Sequence, residues 1–173
     1  MIPELSDERL CLRGFSWADF SAFAAMWQEP EVARHIPFAP IATDDNWVRF
    51  NLNIFGWLRN GYGTWAVADR DGDFLGTIGL FKGVAHYGPD YDDAIQAGWV
   101  FNTASHGKGH ATRAARLAHD WLDAQPFGGR SVCGMDAGHV GSIRVAEKIG
   151  YRLLREFEEP DGKVRLMERT RSD

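Results

Sequence analysis

The chain has 173 residues, of which 45% are hydrophobic and 13% aromatic, enough apolar surface to close one core without a partner. Twenty-four acidic against nineteen basic side chains leave a formal charge of −5 with no Lys/Arg tract, which argues against nucleic acid as a partner. Cys11 and Cys133 are too few and too far apart for a disulfide framework or a thiolate cluster, and no apolar run approaches membrane-spanning length.

The opening residues, Met1 to Glu8, lack the basic and apolar regions of a secretory leader, so a cytoplasmic location with no membrane partner is the expectation. One domain over residues 1–173 is the default organisation.

Leu10 to Arg13 reads as a short strand, followed from Ser16 by a helix with Phe20, Phe23, Ala24 and Trp27 at helical spacing. Pro30, Pro37 and Pro40 break the next stretch, and a loop is expected from Ala33 to Pro40. Thr43-Asp44-Asp45 then offers N-cap chemistry to a helix carrying Trp47, Phe50, Leu52, Ile54, Phe55 and Leu58. Trp17, Trp27, Trp47, Trp57 and Trp121 occupy apolar helical positions and read as core. From Gly63 the period changes to two: Trp65 to Ala68 and Phe74 to Phe81 flank the polar turn Asp69 to Asp73, a β-hairpin.

A polar excursion from Gly83 to Asp93 leads to a strand over Ala94 to Phe101, which stops at Asn102 to Ser105. His106-Gly107-Lys108-Gly109-His110 then feeds an Ala-rich helix whose apolar face includes Ala114, Ala115, Ala118, Trp121 and Leu122. Ser131 to Met135 is a further strand, and Ser142 to Ile149 a short helix that Gly150 ends. Arg152 to Phe157 and Val164 to Met167 straddle the turn Glu159 to Gly162. The order predicts an α/β (α+β) chain with a mixed sheet covered by helices.

A strand, a glycine loop and a helix start in succession aim several backbone N–H groups at one point, at the positive end of a helix dipole. Phosphate is the natural occupant, with Lys108 adding charge and glycines at 107 and 109 keeping side chains away. A loop that needs glycine only for left-handed dihedrals fits the same residues. Two other readings fail. A nucleotide P-loop needs Ser or Thr after its lysine, where Gly109 stands, and the zinc motif H-E-x-x-H needs a Glu where Gly107 stands. No metal site is therefore expected.

These motifs, taken in order, resemble the GNAT superfamily of N-acetyltransferases, and within it the RimJ/RimL-type branch. The pyrophosphate signature [QR]-x-x-G-x-[GA] is met at Gly109 and Ala111, with His106 in place of Gln or Arg. Gly107-Lys108-Gly109-His110-Ala111-Thr112 follows the branch pattern G-K-G-x-A-T. Ser142, Arg144, Val145, Glu147, Lys148, Gly150 and Tyr151 follow its downstream pattern, with His139 replacing the leading Asn. Gly76 to Leu80 and Gly98-Trp99-Val100 fall where such proteins carry G-x-I-G-L and G-[YW]-x strands.

The resemblance implies a GNAT fold, a mixed and mostly antiparallel sheet with a V-shaped splay flanked by helices. It also implies acetyl-CoA as the acyl donor, an amine acceptor that the sequence does not name, and compatibility with a homodimer. By the same resemblance, main-chain groups from His106, Gly107, Lys108, Gly109, His110, Ala111 and Thr112 hold the pyrophosphate, and Trp99, Val100 and Phe101 line the pantetheine arm, with a backbone N–H near Val100 or Phe101 on the oxyanion. Ser142 is the candidate proton donor to the leaving sulfur, and equally reads as a helix N-cap. His110 and His139 border the cofactor and titrate near neutral pH. Gln96 stands where related proteins carry an acidic residue, and cannot itself be a general base. Gln96, Trp65 and His35 are the candidate acceptor-side residues, His35 if its loop walls that site.

Overall fold

The computed structural model describes residues 1–36, 43–160 and 162–171. One eight-stranded sheet runs in the order β1-β2-β3-β4-β5-β6-β8-β7, with β1 (Leu5–Ser6), β2 (Leu10–Arg13), β3 (Thr64–Asp69), β4 (Phe74–Phe81), β5 (Ile95–Phe101), β6 (Arg130–Asp136), β7 (Arg152–Glu159) and β8 (Gly162–Thr170). The helices are α1 (Phe20–Met26), α2 (Pro30–Ala33), α3 (Thr43–Asn60), α4 (Pro89–Asp92), α5 (His110–Asp123) and α6 (Val140–Lys148). The β3–β4 hairpin closes because Asp69 accepts from the N–H groups of Asp71 and Asp73 while Gly72 takes a positive φ of 94°.

Every strand pairing is antiparallel except β5 with β6, which α5 joins as a crossover. That parallel pair is registered only at Ile95↔Ser131 and Gln96↔Val132. Beyond it the two strands part, and this is the splay expected of the fold.

Alternation along the strands feeds a separate apolar cluster on each face. Trp65, Val67 and Ile78 pack with Ala114, Ala115, Ala118 and Leu122 of α5, whose small side chains let the helix lie close to the sheet. Ala66 and Phe74 pack with Phe23, Met26 and Trp27 around α1 and with Phe50 of α3. No helix among the described residues is long and apolar enough to cross a membrane.

Several expectations need correction. Trp17 and Trp47 are not core: they are 66% and 49% exposed and stack on each other at 5.2 Å. The helix expected from Ser142 begins at Val140 with His139 as its N-cap, so Ser142 is not the capping residue. Its end is as read: Gly150 has a φ of 96°, and Gly150 and Tyr151 donate to the carbonyls of Glu147 and Ala146. Of the expected loop at Ala33 to Pro40, Ala33 closes α2, residues 34–36 are irregular and residues 37–40 lie outside those described, as does Asp161 in the last turn. Neither β1 nor α4 was anticipated.

A buried polar chain braces the closed end of the splay. His119 of α5 donates from Nδ1 to the Ala115 carbonyl at 2.7 Å, which leaves Nε2 to accept from the Tyr151 hydroxyl at 2.8 Å. Tyr151 Oη in turn lies 2.7 Å from Ser131 Oγ, on the residue paired with Ile95. Burial pushes the His119 pKa down from 6.5 to about 4. The unfolded chain therefore binds more protons than the native one between those values, and stability must fall as the pH drops through that window. A shift of 1.5 units between pH 6.5 and pH 5 corresponds to about 2 kcal/mol. Urea midpoints measured at pH 7 and pH 5 should show that loss in the wild type and a smaller one in His119→Phe; equal losses would refute it.

Candidate active site

The glycine loop sits at the carboxyl end of β5. Asn102 turns the chain there, its side-chain oxygen accepting from the Ser105 N–H at 3.0 Å and from the Ser105 hydroxyl at 2.6 Å. Gly107 and Gly109 follow with φ of 73° and 80°, and since a Cβ built on either would meet no atom within 4 Å, it is the left-handed conformation and not crowding that favours glycine. Gly109 is the N-cap of α5 and offers no side chain, and the first turn carries no acidic residue. The orphan N–H groups of His110, Ala111 and Thr112 thus face outward at the positive end of a helix of 14 residues. Beside the loop lies a cavity of about 630 Å³ lined by Arg9, Lys108, Arg116 and Lys148 and by the carboxylate of Asp120, with Arg113 there already paired to Asp7 at 2.7 Å. The donor set fits a phosphate-bearing ligand.

From this cradle the gap between β5 and β6 runs toward the sheet's interior. The Asn102 N–H donates to the Leu75 carbonyl at 3.0 Å, which sets the alternation along β5. The amide of Val100 therefore faces Thr77 of β4, while those of Trp99 and Phe101 face the gap. Of the two strand residues expected to hold an oxyanion, only Phe101 has its N–H on the open side. Gly134, in the middle of β6, is exposed, as a strand residue covered on both edges would not be.

The mouth of the gap is crossed by the short segment around α2, tied at both ends. On the β5 side, the Glu29 carboxylate accepts from Thr103 N–H at 2.7 Å and from the Thr103 hydroxyl at 2.5 Å. On the β6 side, His35 Nδ1 lies 2.7 Å from Asp136 Oδ2. Asp136 ends β6, and its other oxygen accepts from the Gly138 N–H at 2.7 Å. The bonds from His35 and then from Gly138 hold the Asp136 carboxyl below its ordinary pKa against the opposing effect of burial. The His139 ring stacks on His35 with centroids 4.3 Å apart and planes 16° apart. Burial, and then His35, lower the His139 pKa. His106 closes the β5 side, its Nε2 3.0 Å from the Phe101 carbonyl. His110, at the start of α5, is shifted down by burial and by Lys108.

The structure thus brings His35, His106 and His139 to one mouth, with Ser142 half-buried in the first turn of α6. It does not bring Trp65 there: that ring is fully buried between Trp57 and Trp121, with Nε1 donating to the Pro3 carbonyl at 2.8 Å. Gln96 is buried at the closed end of the splay, its amide nitrogen donating to the Gly83 carbonyl at 2.8 Å. Asp136, Glu29 and Thr103 were not foreseen. Asp136 had one available signal, its place at the carboxyl end of a strand beside the parallel pairing, where open sheets bind ligands. Among the described residues no group of three or more His, Cys, Asp or Glu is arranged to hold a metal ion.

Comparison with known proteins places the chain in a family. The acetyltransferase (GNAT) domain family matches residues 9–152. YkkB of Bacillus subtilis (strain 168), an uncharacterized protein, is 31% identical over 120 residues, 66% of this chain and 65% of that protein's length, just under two thirds. YnaD of the same organism, an uncharacterized N-acetyltransferase, is 26% identical over 86% of this chain and 82% of its own. The crystal structure of an acetyltransferase from Agrobacterium tumefaciens superposes with a TM-score of 0.83 at 25% identity, covering 99% of this chain and 96% of the other. The chain belongs to the GNAT acetyltransferase family, enzymes that draw the acetyl group from acetyl-CoA.

Proposed function

We propose that this chain moves the acetyl group of acetyl-CoA directly onto a primary amine. The observation that carries the reading is the continuity of two features: an uncapped helix start with two left-handed glycines opens straight into an unpaired gap between parallel strands. A phosphate-tailed, strand-like ligand satisfies both at once, its anionic end on N–H groups and its arm along a free strand edge.

On this reading the main chain of residues 107 to 112 takes the pyrophosphate, and the gap-facing edge of β5 takes the pantetheine arm. The amine attacks the thioester carbonyl at the open end of the gap. A backbone N–H on β5 that points into the gap, such as that of Phe101, is placed to stabilise the developing oxyanion. The Ser142 hydroxyl, free of a capping role, donates a proton to the departing sulfur. Gln96 is committed to Gly83 and orders the loop after β4 rather than exchanging protons. That commitment also supports a second reading, acetyl-CoA binding without turnover.

Three results are expected. Acetyl-CoA at a hundred times its dissociation constant should stabilise the wild type by about 2.7 kcal/mol in thermal unfolding. Gly109→Glu, which places a carboxylate in the cradle and strains a left-handed residue, should lose that ligand-dependent gain whatever its own melting temperature. Ser142→Ala should keep the gain and lower kcat for amine-dependent CoA release by about 10². A gain that persists in Gly109→Glu would remove the loop from the cofactor site, and binding with no release for any amine would favour the second reading.

A further inference from the structure

We propose that His35, oriented by Asp136, is the base that accepts the proton of the acceptor amine. This rests on the N-acetyltransferase reading above. An alkyl ammonium group has a pKa near 10, so at neutral pH the acceptor arrives protonated and without the lone pair the reaction needs. The enzyme must take that proton, and Gln96 cannot.

The mouth of the gap presents few groups that can. Asp136 has both carboxylate oxygens engaged, one by His35 and one by the Gly138 N–H, and each bond opposes its protonation. His106 lies exposed on the pyrophosphate side, with its Nε2 bonded to the Phe101 carbonyl. His139 lies flat against His35, and among the described residues no carboxylate hydrogen-bonds to its ring.

His35 differs from all of these. The bond from Nδ1 to the Asp136 carboxylate makes Nδ1 the protonated nitrogen and places the lone pair on Nε2. Nε2 has no hydrogen-bond partner among the described residues and is not sealed from solvent, and the side chain as a whole is 24% exposed. The groups facing the imidazole are Asp136 from β6 and His139 from the start of α6, with His106 beyond His139; the neighbouring Arg34 is paired with Glu31 at 2.6 Å. The segment that carries His35 crosses the mouth and is anchored at its far end by Glu29 on Thr103, so the imidazole is held over the gap from both sides.

The step balances as follows. Nε2 of neutral His35 takes one proton from the ammonium, and the freed lone pair forms the C–N bond at the thioester carbonyl. The C–S bond breaks with its electron pair going to sulfur, and the second proton lost by nitrogen reaches sulfur through Ser142. His35 then releases its proton to water at the mouth. The products are the amide, CoA as the thiol, and one proton.

The test measures CoA release by the full chain with n-butylamine, spermidine and a short peptide with a free N-terminus, as a function of pH, for wild type, His35→Ala, His35→Gln and Asp136→Asn. Glutamine can still donate to Asp136 and so preserves a purely structural tie. Both His35 variants should lose about 10²–10⁴-fold in kcat and the acid limb of the pH profile, with the thermal gain from acetyl-CoA unchanged. Added imidazole should restore part of the rate to His35→Ala. Asp136→Asn should lower kcat by a smaller factor at constant KM for acetyl-CoA. A His35→Gln enzyme with the wild-type rate and acid limb would overturn the assignment while leaving the acetyltransferase reading intact. A wild type that binds acetyl-CoA yet acetylates none of the three probes would contradict that reading itself, and this assignment with it.

Discussion

The parallel pairing of β5 with β6 stops after two register positions, and the rest of the molecule is organised around the edge this leaves open. Backbone donors and acceptors on an open strand edge must find partners, in water or in a ligand. Here the open edges are those of Ala97 to Phe101 and Cys133 to Asp136, inside the sheet rather than at its rim. Such an opening persists only if each strand is held independently on its other side. β4 holds β5 through six registered pairs, and β8 holds β6 through seven. The buried chain His119, Tyr151 and Ser131 pins the closed end to α5, so the gap is a fixed slot with a defined floor.

Chemistry gathers where that slot reaches the surface, because both strands end there and their following segments must turn away. β5 turns into the glycine loop and α5; β6 turns through Asp136 and Gly138 into α6. Two helix starts therefore flank one opening. The α2 segment lies across it and brings His35 within hydrogen-bond distance of a carboxylate 101 positions away. Glu29 and Asp136 fasten the segment to opposite lips of the slot, which couples the position of the imidazole to the strands that would hold the donor substrate.

Much of this was legible from local pattern. The hairpin at Asp69 to Asp73, the helix from the glycine loop and the Gly150 stop each depend on residues within a few positions of one another, and each stands as read. The errors share a cause. Helical spacing marks Trp17 and Trp47 as apolar positions, but which neighbour covers them is a tertiary fact, and the two rings stack on each other and meet Phe50 and Phe20 while staying largely exposed. Trp65 lies on the strand that its period-two pattern predicts; its burial depends on Trp57 and Trp121, from two separate helices. Ser142 has good cap chemistry, yet the turn at Asp136 to His139 starts the helix two residues earlier. The partnership of His35 with Asp136 has no signature in either local stretch.

The most direct test of the account is a crystal structure with bound CoA. The account predicts pyrophosphate oxygens on the N–H groups of residues 107 to 112 and the pantetheine arm lying between β5 and β6, with the thiol nearer to Ser142 than to Gly109. CoA found instead in the groove of about 1230 Å³ between α3 and the end of β4, lined by Leu52, Phe55 and Phe81, with the β5–β6 gap left to water, would contradict it.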